Sequence, residues 1–359
     1  MSDQIINVLV VDDSNVARML LGHVLESDPR IRVIGSVNDG QAAVEFVLQN
    51  KPDLVLMDIH MPVLDGFEAT RHIMETQPVP IVICSAKTDP KEVATTFRLL
   101  EAGALACVAK PVARDHPDFE ELAANLLQTV KLMSEVKVVR RWTRSRLSAS
   151  PAPSRAEGNG ESGEIQIIGI GASTGGPPVL QTILAGLPKE FPVPLLIVQH
   201  IAHGFMPGLV EWLNQTTGWQ VQIASHGVSP LPGHAYLAPD DFQMGVSSAG
   251  RILLTRNEPE NGLRPAVSYL FRSLSEVCGA NALGVLLTGM GKDGAAELKL
   301  MKDGGAPTIA QDRETSVVHG MPGEAIELGG AAHVLPADRI ADALSTLVRR
   351  RHAVGGTVS

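Results

Sequence analysis

Short apolar runs alternate along the chain with segments whose apolar positions recur at helical spacing. IINVLVVDD (5–13) is an apolar run ending in two carboxylates, and VARMLLGHVLES (16–27) follows with helical spacing. IRVIGSV (31–37) predicts a second strand and GQAAVEFVLQN (40–50) a second helix. DLVLMD (53–58), PIVICSA (80–86) and ALACVAKP (104–111) predict three more strands. Strands alternating with helices imply a parallel sheet, because parallel neighbours need a crossover. The pattern then changes. LAANLLQTVKLMSEVKVVRRW (122–142) keeps helical spacing, but SASPAPSRAEGNGESG (148–163) has almost no large apolar side chain. Such a stretch cannot bury enough surface to fold alone and reads as a flexible linker. The alternation resumes beyond it. EIQIIGIGASTGGPPVLQTIL (164–184) reads as strand, Gly-rich turn and helix, and VPLLIVQH (193–200) as an apolar strand. ALGVLLTGMGKDGAAEL (282–298) again reads as strand, turn and helix. The predicted class is α/β, with two doubly wound parallel-sheet domains joined by a flexible linker.

Composition narrows the classes. With 359 residues, 44% hydrophobic and 19% charged, the chain can bury sizeable cores and is not a disordered protein. No apolar run approaches the ~18 residues of a membrane span, and no signal-peptide pattern opens the chain. Cys84, Cys107 and Cys278 are scattered and odd in number, which fits core thiols in a reducing compartment. A cytoplasmic protein without membrane insertion is therefore expected. Charge is uneven. Residues 1–130 hold 10 basic and 19 acidic residues, residues 131–163 hold 7 and 3, and residues 164–359 hold 13 and 17. Two acidic blocks thus flank a basic connector, where Lys137, Arg140, Arg141, Arg144 and Arg146 surround Trp142. The net charge of −9 gives no electrostatic reason to bind nucleic acid.

Candidate chemistry sits at strand ends, where open parallel sheets bind ligands. In the first block Asp12, Asp13, Asp58, Ser85 and Lys110 all fall at such ends. Three converging carboxylates repel unless a cation lies among them, and oxygen ligands beside a phosphoryl group favour Mg²⁺. These segments, VDDS (11–14), MDIHMPVLDG (57–66), SA (85–86) and KP (110–111), resemble the receiver domain of two-component response regulators. The resemblance implies a flavodoxin-like receiver whose Asp58 accepts a phosphoryl group from a chemotaxis histidine kinase. Asp13, Asp58 and the His60 carbonyl would hold Mg²⁺, with Asp12 acting through water, and Ser85 and Lys110 would contact the phosphoryl oxygens. One departure is Cys107, three positions before Lys110, where many receivers carry a switching Tyr or Phe.

In the last block Ser173 lies in a Gly-rich turn before a helix that opens with Pro177 and Pro178. A helix N-terminus favours developing negative charge, and residues 171–175 match G-x-S-x-G. That match alone is weak. His200 and Asp293, however, are expected at the ends of two further strands of the same sheet. A Ser–His–Asp set needs an imidazole to take the hydroxyl proton and a carboxylate to hold and stabilise that imidazole. The competing dinucleotide reading fails at Thr174, where Gly or Ala is needed, and at Gln199-His200, where no acid awaits a ribose. A transcription-factor reading fails for want of a basic helix-turn-helix. His203 and His226 read as polar loop residues.

Six ordered motifs carry a second resemblance: IGASTGGP (within 168–177), QH (199–200), FMPGLVEWLN (205–214), PGHAYLAPDD (232–241), LTGMGKDGA (287–295) and AQDRETSVVHGMP (310–322). They are similar to the catalytic domain of the chemotaxis protein-glutamate methylesterases, the CheB family. The resemblance implies a receiver domain over 1–130, a linker over 131–163, a methylesterase domain over 164–350 and a tail over 351–359. It implies hydrolysis of glutamate methyl esters on chemoreceptors, with glutamine deamidation, and no cofactor for the ester chemistry. Ser173 would be the nucleophile, His200 the base and then acid, Asp293 the orienting carboxylate and the Met290 backbone N–H part of the oxyanion hole. A receiver folded back over the Ser173 groove would restrain the enzyme until Asp58 is phosphorylated. Gln243, Ser268, Arg313 and Gly323 depart from the family pattern and are expected to line the substrate groove.

Overall fold

The structure is a computed structural model that describes residues 5–85, 97–113, 116–136, 138 and 164–355. The Ser/Pro/Gly-rich stretch 148–163 and the basic residues from Lys137 to Arg146 lie outside the described residues, as does the end of the tail. The chain divides into two units, Met1–Asn159 and Gly160–Ser359.

In the first unit the apolar runs become β1 (Ile6–Val11), β2 (Ile31–Val37), β3 (Leu54–Met57), β4 (Ile81–Ser85) and β5 (Ala106–Ala109). They pair in the order β2-β1-β3-β4-β5, every pair parallel. β3 and β4 are buried along their whole length, which is why they read as unbroken apolar runs rather than alternating ones. The helices are α1 (Asn15–Leu25), α2 (Gly40–Asn50), α3 (Gly66–Thr76), α4 (97–102 among the described residues) and α5 (Phe119–Ser134). Three begin on side-chain caps: Ser14 accepts from the Ala17 N–H, Asp39 from Ala42 and Asp65 from Glu68. Such caps satisfy amides that the first turn leaves unpaired.

The helical spacing at 122–142 is placed differently from the expectation. The helix starts earlier, at Phe119, and ends at Ser134. Ala123, Leu126, Val130 and Met133 bury one face of it, so the helix is part of the first unit's core. Lys131 near its end reaches Asp28 after α1 at 2.9 Å and holds that carboxyl down to about 2.

The second unit holds a seven-stranded parallel sheet in the order β14-β13-β12-β6-β7-β9-β8. Its central strands are β6 (Ile167–Ala172), β7 (Leu195–Gln199) and β12 (Ala282–Leu286); β13 (Thr308–Gln311) and β14 (His333–Leu335) lie on one side, β8 (Gln220–Ile223) and β9 (His234–Leu237) on the other. A separate antiparallel hairpin, β10 (Gln243–Val246) and β11 (Ile252–Thr255), packs near helix α8 (Val267–Cys278). The other helices are α6 (Gly176–Gly186), α7 (Met206–Thr217), α9 (Ala295–Asp303), α10 (Met321–Glu327) and α11 (Ala337–Gly355).

Small residues decide how close α8 and α9 come to the sheet. Gly169 of β6 is the register partner of Gly284 of β12. A Cβ on Gly169 would come within 2.5 Å of Leu274, and one on Gly284 within 2.7 Å of Leu298. A Cβ on Gly171 would collide with Val267, the first residue of α8. The glycines therefore seat α8 with its N-terminus over the carboxyl ends of β6 and β12.

Two glycine substitutions should have opposite signs. Gly171→Ala overpacks the α8 contact and should destabilise the second unit by about 1–3 kcal/mol. Gly22→Ala in α1 meets nothing among the described residues within 4 Å and should stabilise the first unit by about 0.5–1 kcal/mol through helix propensity. Denaturant unfolding of each variant, followed by circular dichroism, checks both signs.

Candidate active site

Ser173, His200 and Asp293 follow the ends of three adjacent strands. Ser173 comes directly after β6, His200 directly after β7, and Asp293 lies in the turn between β12 and α9. β6 lies between the other two. The neighbourhood of Ser173 is tightly tied. Its N–H donates to the Thr288 carbonyl at 3.0 Å and its own carbonyl accepts from Gly176 at 2.8 Å. Buried Thr288 donates through Oγ1 to the Thr174 carbonyl at 2.9 Å, and its N–H donates to Gln311 Oε1 at 2.8 Å. Gly289 packs so closely that a Cβ there would be 2.7 Å from the Ser173 Cβ. Met290 is the next residue, half-buried beside that contact.

The His200 imidazole is 12% exposed, and its Nε2 lies 3.0 Å from Asp293 Oδ2. The ring N–H is not aimed along that line, so the contact is close but off-axis. Asp293 itself is buried. Oδ2 accepts from the Val267 N–H at 2.6 Å and Oδ1 from the Ser268 N–H at 3.0 Å. These are the first two amides of α8, where a helix has unpaired donors and a positive dipole end. Burial pushes the Asp293 carboxyl up, but His200 and Ser268 together outweigh it and hold the group below the usual carboxylate range.

Two expected groove residues are internal instead. Gln243 is fully buried: its Oε1 accepts from Ala266 at 2.8 Å and its Nε2 donates to the Leu263 carbonyl at 3.1 Å. It fastens the segment leading into α8. Ser268 is also buried, and its Oγ accepts from Gly294 at 2.9 Å while donating to Glu297 Oε2 at 2.7 Å. It clamps the turn that carries Asp293. Sequence reasoning missed Glu297 altogether, since an acid in the first turn of a helix is unremarkable there. The other two departures bear on one side chain, His319. A Cβ on Gly323 would be 3.0 Å from its ring, and burial, with the Arg313 cation adding to it, lowers the His319 pKa. His319 forms an isolated bridge with Gly289, so it stands one residue pair from Ser173. His203 and His226 lie on loops: His203 is exposed beside Asp241, and His226 Nδ1 meets the Leu254 backbone of the hairpin.

The acidic pocket of the first unit forms where the order of its sheet reverses, between β1 and β3. Carboxylate oxygens of Asp12, Asp13 and Asp58 lie within 4.8 Å of one another. Lys110 Nζ stands 2.6 Å from Asp12 Oδ2 and 3.1 Å from Asp58 Oδ1. Burial raises the Asp58 pKa, Lys110 opposes that and Asp12 adds to it. Burial works against the Lys110 cation, but the two carboxylates overcome it and raise its pKa. Ser85 is buried, with its carbonyl accepting from the Lys110 N–H at 2.8 Å, and exposed His60 follows Asp58 by two residues. Cys107 sits on β5, and burial pushes its thiol far up, so it behaves as an inert apolar group.

Comparison with known proteins covers both units. The receiver domain model of response regulators matches residues 8–136, and the CheB methylesterase model matches residues 168–344. The protein-glutamate methylesterase/protein-glutamine glutaminase of Nitrosospira multiformis is 56% identical over 348 residues, covering 96% of this chain and 98% of that protein. A protein of the same name from Syntrophus aciditrophicus is 54% identical over 348 residues, covering 95% and 98%. Among solved structures, the Thermotoga maritima CheB methylesterase catalytic domain matches at 41% identity and a TM-score of 0.50, across 52% of this chain and all of that one. Similar over almost its whole length to full-length relatives, this chain belongs to the CheB methylesterase family whose members carry a response regulator receiver domain ahead of the catalytic domain.

Proposed function

We propose that the enzyme hydrolyses glutamate methyl esters on chemoreceptors, and deamidates receptor glutamines, through Ser173, His200 and Asp293. The observation that carries this reading is the 3.0 Å approach of His200 Nε2 to a buried Asp293, with Ser173 at the end of the strand between theirs. With Nε2 turned to Asp293, Nδ1 is the nitrogen left to take the Ser173 proton. Ser173 Oγ then attacks the ester carbonyl. The charge that develops on the carbonyl oxygen falls to backbone N–H groups beside the Gly289 contact, with Met290 as the candidate donor. His200 returns its proton to the leaving methoxide, and methanol departs from an acyl-enzyme. Water, deprotonated by His200, attacks the acyl group and releases glutamate with Ser173 restored. The same steps on glutamine release ammonia. Asp293 stays ionised throughout and stabilises the imidazolium.

The receiver domain supplies control. In this reading a chemotaxis histidine kinase passes its phosphoryl group to a carboxylate oxygen of Asp58, which relieves restraint on the methylesterase domain. In this reading the segment between the end of α5 and residue 164 tethers the two. The all-oxygen donor set of Asp12, Asp13 and Asp58, with the His60 carbonyl, fits a hard divalent cation. Mg²⁺, when bound, neutralises charge on the incoming phosphoryl group. Lys110 and Ser85 are the candidate contacts to its oxygens.

Three measurements test these assignments. In a methanol-release assay on methylated receptor, Ser173→Ala and His200→Ala should each lower kcat at least about 10³-fold with the fold intact. Asp293→Asn should lose about 10²- to 10⁴-fold. A folded Ser173→Ala protein that works at the wild-type rate refutes the mechanism. A small phosphodonor such as acetyl phosphate with Mg²⁺ should raise the activity of the full chain, and Asp58→Asn should abolish the increase while keeping the basal rate. The raised pKa of Asp58 means that its ionised form costs folding free energy above the ordinary carboxylate range. Asp58→Asn should therefore raise the Tm of the receiver domain in metal-free buffer. Mg²⁺ should raise the wild-type Tm, by about 2.7 kcal/mol of stability at a hundred times its Kd, and Asp13→Asn should remove that gain.

A further inference from the structure

Gln199 has contacts that the triad chemistry does not use. It is the last residue of β7, directly before His200, and is 2% exposed. Its Nε2 donates to the Ser173 carbonyl at 2.8 Å and to the His200 carbonyl at 2.7 Å. One primary amide thus grips the main chain at both the nucleophile and the base. The backbone bond that joins the two strand ends is His200 N–H to the Ala172 carbonyl, at 2.9 Å. Beyond it β6 and β7 part, the chain turning into α6 on one side and into a loop on the other, and the amide spans the gap.

The other end of the side chain behaves differently. Among the described residues Gln199 Oε1 is buried without a hydrogen-bond partner. It lies against Gly176, the first residue of α6, where a Cβ would collide with it. An unpaired buried carbonyl disfavours the folded state, and an apolar side chain of the same length fills that space without this cost. Space-filling therefore does not account for glutamine here, whereas two donors aimed at two carbonyls do.

We infer that Gln199 is a positioning residue whose amide fixes the separation of Ser173 and His200. It touches neither substrate nor the reacting atoms. It acts by keeping the hydroxyl and the imidazole in reach of each other, where a small misplacement costs a large factor in rate. This inference rests on the triad reading.

The test is kinetic, on the full chain with methylated receptor as substrate. Gln199→Met keeps the length of the side chain and removes both donors. Its kcat should fall about tenfold to a hundredfold, with KM within about twofold because substrate contacts are untouched. The rate at which a fluorophosphonate labels Ser173 should fall by the same factor. Gly176→Ala, from a different element, pushes on Oε1 and should show the same split. A folded Gln199→Met protein with wild-type kcat, or with its loss confined to KM, overturns the inference. Should neither variant fold, the unmutated chain labelled with ¹⁵N-glutamine decides. The doubly bonded Gln199 side-chain amide should exchange with D₂O over hours, and exchange within seconds overturns the inference. Ser173→Ala separates the two readings: an active Ser173→Ala protein sinks both, and an inactive one beside a fully active Gln199→Met sinks this one alone.

Discussion

Asp293 is a carboxylate taken almost wholly out of water, and burial by itself favours its neutral acid. The His200 ring against Oδ2, and then Ser268, reverse that preference, while the first two amides of α8 donate one to each oxygen. A neutral acid in this position could neither orient nor stabilise an imidazolium. The seating of α8 on β6 is therefore an electrostatic requirement as much as a packing one. That seating depends on Gly169 and Gly171, where side chains would push Leu274 and Val267 outward. Gln243 holds the approach to α8 and Ser268 holds the turn around Asp293, so both ends of the arrangement are fastened by buried polar side chains.

The two units apply one geometric rule to different chemistry. Each gathers its reactive groups at the carboxyl ends of parallel strands, where the winding of the sheet reverses direction. In the first unit the gathered groups are like-charged and Lys110 answers them. In the second they are of mixed kind, and the His200 ring together with the α8 amides does the work of the lysine. The first pocket is thus balanced by the cation of a side chain, Lys110. The second is balanced in part by fixed backbone dipoles, which need no reorganisation as charge develops.

Much of this was legible in the sequence, for identifiable reasons. β3, β4, β6, β7 and β12 are buried on both faces, so each reads as an unbroken apolar run bounded by turn residues. Asp58, Ser173 and His200 were legible as candidates because they follow such runs directly, and Asp293 because it lies in the Gly-rich turn after β12. The hairpin of β10 and β11 was not, because four-residue strands beside polar loops carry little periodic signal. The end of α5 was misjudged because helical spacing continues in the sequence past Ser134, while the buried face stops at Met133. Gln243 and Ser268 were misplaced for a different reason. A polar residue near a site looks like lining until the direction of its side chain is known, and spacing along the chain does not carry that direction.

The placement of Ser173, His200 and Asp293 after β6, β7 and β12 has a consequence for the newborn protein. Ser173 and His200 leave the ribosome well before α8 and the Asp293 turn, and β12 must insert beside β6 before the carboxylate meets its ring. Contacts between such distant segments form late in folding. A chain still being translated, or one truncated before β12, carries Ser173 and His200 but not the carboxylate that meets the imidazole. If the three act together as proposed, hydrolytic power arrives only once β12 has joined the sheet, and activity itself becomes a report on correct folding.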